Sequence, residues 1–342
     1  MNKTLLIACP LCDSSHHKTL YKLNGWTLVK CLACDFVFVN PRPTIEEFER
    51  GFGRSETDQT PPDERDIFNV TESFQAYYAH GHVQETEKIQ KILDTLLHHA
   101  GRDPNTCRLL DFGCGDGTFL THALSLHMDA YGYDIGNWNQ AFLQVKGLSP
   151  RVFIGPLHDT PYTAASFDIV YANAVMGHFY DPQREIAYFS KILKPGGILA
   201  VMSTPNINSL FIRLGVDSFD GNVPLTHVSF FSPDTLLRVL QQNSFQPISM
   251  KTWGVPLRLT FPPVFQTIMQ HFGRKSLEKK LTYYESDCEL STEEWQDSLL
   301  QSPLSRLLKT CHMYDIVKKS CNIFLNAFDG GQVIDVIAVK KS

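Results

Sequence analysis

The sequence predicts an α/β fold, in which a parallel sheet carries helices on both faces and a small cysteine-containing unit precedes it. Three observations predict it. Short apolar runs alternate with amphipathic stretches between residues 83 and 253, a glycine-rich turn follows the first run, and two CxxC pairs come before both. Alternating strand and helix patterns are typical of parallel sheets, because a crossover between parallel strands needs a helix.

The composition is that of an ordinary folded protein, with 342 residues, of which 43% are hydrophobic and 20% charged. This length predicts about two domains. The formal net charge of −5 argues against a general nucleic-acid binder, which needs Lys and Arg to neutralise phosphates. No apolar run approaches the roughly 18 residues of a membrane span, and the one before Cys9 is too short for a signal peptide. We expect a cytoplasmic protein.

The two CxxC pairs, "CPLC" and "CLAC", predict a structural zinc site in residues 1–43. They are separated by 18 residues, a spacing typical of four-thiolate zinc ribbons. The Asn24-Gly25 turn predicts a hairpin between them. The alternative is four unrelated thiols. Because the other cysteines show no disulfide spacing, we expect a reducing compartment. The predicted zinc ligands are Cys9, Cys12, Cys31 and Cys34.

The elements after the ribbon follow from periodicity and from capping residues. Residues 44–82 are polar and are interpreted as a linker or lid, and the apolar spacing in 83–100 predicts an amphipathic helix. Strands are predicted at 107–112, 129–135, 151–155, 166–175 and 198–206. A helix is predicted at 117–127, and a helix with its stop at 181–197.

The last third of the chain is predicted to complete the sheet around a helical insertion. Ser232 and Pro233 are typical of a helix start. Strands are predicted at 246–253 and 332–341. The sheet domain therefore comprises 83–253 and 331–342, with residues 254–330 as the insertion, where Ser302 begins the last helix.

The stretch "LLDFGCGDG" predicts a ligand-binding turn. Asp111 ends a buried strand, and the glycines that follow permit positive φ and a close approach of the backbone to a ligand. Asp134 ends the next strand, where a carboxylate can bind ribose hydroxyls. The glycine spacing differs from the dinucleotide fingerprint G-x-G-x-x-G, which disfavours NAD.

Four motifs, "LLDFGCGDG", "YGYD", "FDIVYANAVMGHFYDP" and "LKPGGILAV", occur in the order found in class I S-adenosylmethionine-dependent methyltransferases, which the chain resembles over residues 83–250. The resemblance implies a Rossmann-like seven-stranded sheet of order 3-2-1-4-5-7-6, with an antiparallel last strand and S-adenosylmethionine over the carboxyl ends of the strands. It also implies the cofactor-binding residues Asp111, Phe112, Gly113, Cys114, Gly115, Gly117, Asp134, Ile135, Pro156, Leu157 and Asn173.

Two positions depart from the family pattern. Pro156 stands where an acidic residue often contacts adenine, so the resemblance implies apolar adenine contacts from Pro156 and Leu157. Gly177 replaces the Glu of a frequent "LEH". We interpret this glycine as widening the site and removing one candidate acid or metal ligand.

His178 and His227 are the candidate catalytic residues. Methyl transfer from a sulfonium needs a positioned nucleophile and a base, and imidazole titrates near neutral pH. The alternative for each is a structural histidine with a satisfied hydrogen bond. Tyr77 and Tyr78 are interpreted either as lining the site or as core aromatics of the lid.

The combination of the ribbon, "FVNPRP" and "HVSFFSP" resembles sugar C-methyltransferases and enzymes of surface-glycan and secondary metabolism. The C-methyltransferases have a Glu-His pair, whereas Thr226 precedes His227 here, so O-methylation fits as well as C-methylation. The resemblance implies a small-molecule acceptor (a sugar, a nucleotide-sugar or a secondary metabolite). Within this interpretation, the ribbon covers or shapes the acceptor pocket.

Two alternatives stay open. One is a zinc-ribbon rRNA methyltransferase, which the few basic residues of 1–43 disfavour. The other is a non-catalytic scaffold with the same fold. The insertion 254–330 is interpreted as packing on the domain or on a partner subunit, or alternatively as contacting a lipid-linked acceptor at a membrane surface. Neither the oligomeric state nor the acceptor follows from the sequence.

Overall fold

The computed structural model describes residues 4–23, 25–50, 83–137, 139–214, 227–254, 322–323 and 325–341. The chain forms two compact units. One comprises 1–207, 219–251 and 334–342, and the other comprises 208–218 and 252–333. Most of the predicted lid (44–82) and of the insertion (254–330) lies outside the described residues, as do Tyr77, Tyr78, Thr226 and Ser302.

The N-terminal elements are β1 (Thr4–Leu5), β2 (His17–Leu23), β3 (Trp26–Cys31), β4 (Val37–Val39), β5 (Arg42–Pro43) and α1 (Ile45–Arg50). Strands β2 and β3 form the predicted hairpin, with Leu23 opposite Trp26. Gly25 has φ 82°, the left-handed conformation that a tight hairpin turn requires. Strand β4 continues the sheet on the other side of β3.

The later elements are α2 (Val83–Ala100), β6 (Arg108–Phe112), α3 (Thr118–Ser125), β7 (Asp129–Asp134), α4 (Gln140–Val145), β8 (Val152–Ile154), β9 (Phe167–Asn173), α5 (Pro182–Ile192), β10 (Leu193–Pro205), α6 (Leu210–Arg213), β11 (Ser229–Phe230), α7 (Pro233–Gln242), β12 (Phe245–Trp253) and β13 (Val333–Lys340). The predicted strands and long helices are confirmed, apart from small shifts of their ends. Helix α4 was missed, because its six residues are too few for a clear periodic pattern.

The main sheet has the order β12-β13-β10-β9-β6-β7-β8, which confirms the predicted order 3-2-1-4-5-7-6. Strand β6 lies at the centre and pairs in parallel with both β7 and β9. Strand β13 runs against β10. Asp335, early in β13, accepts from the amide of Ser203 near the end of β10, whereas Lys340, late in β13, donates to the carbonyl of Leu193 at its start.

Apolar side chains alternate between the two faces of this sheet. Leu109 and Ile169 belong to one buried cluster, whereas their neighbours Leu110 and Val170 belong to the other. Helix α2 covers the first face with its predicted apolar stripe, in which Leu93 is fully buried. Helices α5 and α7 cover the second. Because both faces are covered, a ligand has access only at the ends and edges of the strands.

Strand β10 begins earlier than predicted. In the range 181–197, predicted as a helix with its stop, the helix ends at Ile192, and Leu193 already pairs with Phe167 of β9. Pro195 explains the shift, because the residue before a proline is disfavoured in helical conformation. Helix α7 begins as predicted at Ser232, whose side chain forms a capping box with Thr235. Among the described residues, no helix is long and apolar enough to cross a membrane.

Candidate active site and metal centre

The four cysteines of the two CxxC pairs converge on one point. The Sγ atoms of Cys9, Cys12, Cys31 and Cys34 all lie within 4.8 Å of one another. The Sγ atoms of Cys9 and Cys34 are 3.5 Å apart, and those of Cys12 and Cys31 are 3.6 Å apart. Four thiolates around zinc at about 2.3 Å would be about 3.8 Å apart. The cluster therefore fits tetrahedral zinc.

The environment of these thiols also fits a metal. Burial raises the pKa of Cys9 above the usual thiol range and raises that of Cys34 to about 11. A thiolate is costly at such a position unless a cation offsets its charge. A bound Zn²⁺ would supply that charge. With four thiolates in its shell it would have no open position for water, so the role would be structural.

The glycine turn connects β6 to α3 and is tied to the end of β7. The amides of Gly113 and Cys114 both donate to the carbonyl oxygen of Tyr133, at 2.7 and 2.9 Å. Gly113, Gly115 and Gly117 have φ values of 75°, 51° and 74°. At Gly113 there is also no room for a side chain, since a Cβ would lie 2.3 Å from Cγ1 of Val175. The turn therefore requires glycine for conformation and for space.

Asp134 stands at the carboxyl end of β7 and faces the same turn. Its Oδ2 accepts from the amide of Gly115 at 2.9 Å, and its Oδ1 accepts from the amide of Gly136 at 3.0 Å. Burial raises the pKa of this carboxyl, while the backbone amides and nearby His178 counteract the shift. A carboxylate held in this orientation at the end of the second strand can bind ribose hydroxyls.

Asp111 contributes a second buried carboxyl below the turn. It is only 3% exposed, and its Oδ2 has no hydrogen-bond partner among the described residues. Burial, together with Asp116 and Asp134, raises its pKa well above the usual carboxyl range. A buried oxygen without a partner is costly unless a ligand satisfies it. The ammonium group of S-adenosylmethionine is such a ligand, so the residues present fit this cofactor.

Lys146, which sequence reasoning missed, secures the far side of the turn. Its Nζ donates to the carbonyl of Asp116 at 2.9 Å and to the Asp116 carboxylate at 3.0 Å. The same carboxylate caps Thr118 at the start of α3. Lys146 follows α4, so a sequence reading that lacked this helix had no way to place the lysine.

The other predicted cofactor residues have different positions. Phe112 stacks on Tyr133 and meets Phe189 edge-on within the core, and Cys114 is buried too. These two residues shape the turn through their backbone. The remaining four lie at or just after the strand ends, where Asn173 is exposed and the others are half-buried: Ile135, Pro156, Leu157 and Asn173.

The two predicted catalytic histidines are in contact. The imidazole centroids of His178 and His227 are 4.1 Å apart, with the rings tilted by 50°. His178 ends a short 3₁₀ turn after β9, three residues after Val175, whose side chain faces Gly113 of the glycine turn. His227 comes from the distant segment that precedes β11. The fold thus brings both imidazoles to the edge where the cofactor residues lie.

Gly177 has a different role from the predicted one. A Cβ at this residue would lie 2.8 Å from Cδ2 of His227, and the carbonyl of Gly177 accepts from the amide of Val228 at 3.0 Å. The interpretation that this glycine widens the site is therefore wrong. The space of the missing side chain is filled by the imidazole of His227.

The sheet order and the glycine turn define a class I S-adenosylmethionine-dependent methyltransferase fold. The sequence profile of the methyltransferase domain family matches residues 80–250, which is half of the chain. The chain therefore belongs to the S-adenosylmethionine-dependent methyltransferases.

Curated relatives include the ubiquinone biosynthesis O-methyltransferase of Ruegeria pomeroyi, 30% identical over 154 residues, or 42% of this chain and 62% of the relative. The mitochondrial enzyme of the same name from Mus musculus is 27% identical over 212 residues, or 55% of this chain and 57% of the relative. The chain thus spans less than two thirds of the length of these relatives.

A solved structure with a similar fold is geranyl diphosphate C-methyltransferase from Streptomyces coelicolor A3(2). It is 14% identical, and the match covers 84% of this chain and 88% of that one with a TM-score of 0.42. A likeness of this size carries no argument about the reaction.

Proposed function

We propose that this protein transfers the methyl group of S-adenosylmethionine to a small biosynthetic molecule, by O- or C-methylation. The observation that carries the proposal is the contact between His178 and His227, at the strand ends where the glycine turn lies. The names of the curated relatives, which are O-methyltransferases of ubiquinone biosynthesis, support a small acceptor.

Each part of the site has a task in this reaction. In this proposal Asp134 holds the ribose hydroxyls, and Asp111 offers an oxygen for the ammonium group. When bound, S-adenosylmethionine supplies a methyl group activated by its sulfonium. The protein therefore has to orient the acceptor and accept its proton.

The histidine pair is suited to that proton transfer. A neutral imidazole has a ring nitrogen that accepts a proton, so either ring of the pair is chemically able to act as the base. We assign this role to the pair and expect it to take the proton of an acceptor hydroxyl or of an acidic carbon.

Two measurements test the proposal. Calorimetry should show that the wild-type protein binds S-adenosylmethionine, and that Asp134→Asn weakens binding by roughly tenfold. A screen with methyl-labelled donor should then find label in a catechol, sugar or nucleotide-sugar acceptor. His227→Gln and His178→Gln should bind the donor normally and lose turnover. Normal turnover in both histidine variants would contradict the assignment of the base.

RNA is the alternative acceptor. Within the ribbon, Lys30 is already paired with Asp35 at 2.8 Å. This ion pair reduces the positive charge available to bind RNA phosphates. Methyl transfer to rRNA that falls steeply with salt would favour this alternative over the small-molecule proposal.

We also propose that residues 1–43 form the zinc ribbon and that residues 83–253 with 331–342 form the catalytic domain. We further propose a cytoplasmic location.

A further inference from the structure

The ribbon sheet contains a strand from the segment that follows His227. Its order is β11-β4-β3-β2, so the last strand added comes from residues far along the chain. Ser229 pairs with Phe38 and Phe230 with Val37, and the amide of Val39 donates to the carbonyl of Val228 at 3.1 Å. Strand β11 begins two residues after His227. Backbone pairing with the ribbon thus fixes the chain immediately next to this imidazole.

A second contact joins the ribbon to the loop of His178. The guanidinium carbon of Arg42 lies 3.7 Å from the centroid of the Tyr180 ring, and its Nη1 donates to the carbonyl of Tyr180. In return, the hydroxyl of Tyr180 donates to the carbonyl of Pro43 at 3.0 Å. Tyr180 is two residues after His178. Stacking and two hydrogen bonds therefore hold this loop against strand β5.

The two histidine loops are also tied to each other. The hydroxyl of Ser229 donates to the carbonyl of Phe179 at 2.7 Å, with Ser229 buried. Phe179 directly follows His178. A shift of either loop would consequently be transmitted to the other.

The burial of Arg42 is unusual for a purely structural contact. It is 9% exposed, and its Nε has no hydrogen-bond partner among the described residues. Burying a guanidinium without satisfying all its donors has a cost. The nearby Asp181 carboxylate offsets part of it through its charge. An apolar residue would fill the same space at lower cost but would not orient Tyr180.

The metal knuckles are attached to the catalytic domain at other places. Arg238 of α7 donates to the carbonyl of Cys34 at 2.7 Å, and Gln183 of α5 donates to the carbonyl of Leu11 at 3.0 Å. These two anchors hold the metal end of the ribbon, whereas β4 and β5 hold the histidine loops. The ribbon is thus a bridge, with the cysteine cluster at one end.

We propose that the zinc ribbon positions the His178–His227 pair, with Arg42 as the positioning residue and the pairing of β4 with β11 as the second link. This inference rests on the proposed function, since it assigns the ribbon a role in placing the base. It differs from a general cover over the acceptor, because it predicts a change at the imidazoles even when no acceptor is present.

The first experiment compares two identical substitutions in the full-length, zinc-loaded protein. Arg42→Met removes the stack and the donors at the His178 loop, and Arg238→Met removes a donor to the ribbon at its metal end. NMR of the histidine ring protons, assigned with His178→Gln and His227→Gln, gives a readout without any acceptor. Calorimetry gives the affinity for S-adenosylmethionine.

We expect Arg42→Met to shift the ring signals of both histidines and to leave donor affinity within about twofold. Once an acceptor is known, kcat of Arg42→Met should fall by roughly tenfold or more, and its pH profile should change. Small displacements of a catalytic base lower the rate strongly. Arg238→Met should leave the ring signals in place. Unshifted histidine signals in Arg42→Met would overturn the inference.

Two further measurements decide the inference independently of Arg42→Met. If Arg42→Met does not fold, Tyr180→Phe removes only the hydroxyl bond to Pro43 and should shift the His178 signal by a smaller amount; no shift would overturn the inference. Chelation of zinc should shift the same signals while donor binding persists, and unchanged signals would also overturn it. Wild-type protein that binds no donor would count against the proposed function, whereas the NMR outcome would still decide the inference.

Discussion

The glycine turn and the histidine pair meet at the carboxyl ends of the central strands, but they are built differently. The turn is continuous in sequence from β6 to α3, and its main partner, Asp134, ends the adjacent strand. The histidine pair joins three segments that are far apart in the chain, namely the ribbon, the loop after β9 and the residues before β11. The cofactor half of the site (the glycine turn with Asp134) therefore depends on local structure. The acceptor half (His178 and His227) depends on the ribbon.

The largest effect is expected from removing the metal, which should abolish turnover but leave donor binding in place. Cys31→Ser should lose zinc, whose binding free energy of about 10–16 kcal/mol in small zinc units supports the ribbon fold. We expect metal analysis to show loss of zinc and turnover to be abolished. Calorimetry should show donor affinity within about threefold of wild type, because hydrogen bonds to Tyr133 and Asp134 of β7 hold the glycine turn.

The control for this experiment is Cys107→Ser. Cys107 is also a buried thiol, but it lies outside the cysteine cluster. The Cys107→Ser variant should therefore keep its zinc. Parallel loss of donor binding and turnover in Cys31→Ser would mean that the ribbon supports the whole fold, and the comparison between the halves would no longer hold.

Next in size is a change confined to the cofactor half. Gly113→Ala places a Cβ 2.3 Å from Val175 at φ 75°. Overpacking costs about 1–3 kcal/mol and left-handed conformation about 1–2 kcal/mol. We expect urea denaturation to show a loss of unfolding free energy of about 2–5 kcal/mol, and donor affinity to fall roughly tenfold or more.

Gly196→Ala is the matched control for that variant. Gly196 has φ 74° with nothing within 4 Å of its would-be Cβ. The Gly196→Ala variant should lose only about 1–2 kcal/mol of unfolding free energy, the cost of the left-handed backbone conformation, and should bind the donor normally. Equal effects in the two variants would show that conformation, rather than close packing at the turn, matters at Gly113.

A smaller change addresses the acceptor half. Gly177→Ala should push the His227 ring aside, because the new Cβ would lie 2.8 Å from Cδ2 of that ring. We expect kcat to fall about 10- to 100-fold with donor affinity unchanged, as measured by steady-state kinetics and calorimetry.

A double-mutant cycle gives the control. In a His227→Ala background the clash is absent, so Gly177→Ala should have little further effect. Additive losses would instead mean that Gly177 acts independently of His227.

The smallest effect concerns stability against pH. Burial raises the pKa of Glu185 well above the usual carboxyl range in the folded state. The folded protein then holds a proton that the unfolded chain releases, so this residue lowers stability as pH rises above the ordinary carboxyl pKa. Glu185→Gln should flatten the fall in unfolding free energy between pH 4 and pH 7, because glutamine does not titrate. Its single oxygen can accept from only one of the two amides, of Tyr180 and Asp181, that donate to the carboxyl, so overall stability should not rise. A fall of the same size in this variant, measured by urea denaturation at both pH values, would contradict the assignment.

The sequence predicted the parts of this molecule that depend on neighbouring residues. The CxxC pairs, the glycine turn and Asp134 were identified from spacing alone, because each forms within one strand–turn unit or its direct neighbour. The full sheet order came from the family resemblance and was confirmed by the strand order.

Features that depend on distant segments escaped sequence reasoning. The two-residue strand β11 is too short to produce a pattern, and its pairing with β4 appears only in the folded chain. The same holds for the stack of Arg42 on Tyr180 and for the bonds of Lys146. Gly177 was misinterpreted because its neighbour in space, His227, comes from another loop.

The pairing of β4 with β11 has a consequence for synthesis. When the ribbon leaves the ribosome, β4 is an edge strand, and its partner Ser229–Phe230 has not yet been made. At usual translation rates the interval from Val39 to Ser229 lasts roughly 10–40 s. During this time an unpaired apolar edge is open to chaperones or to the same edge of another nascent chain.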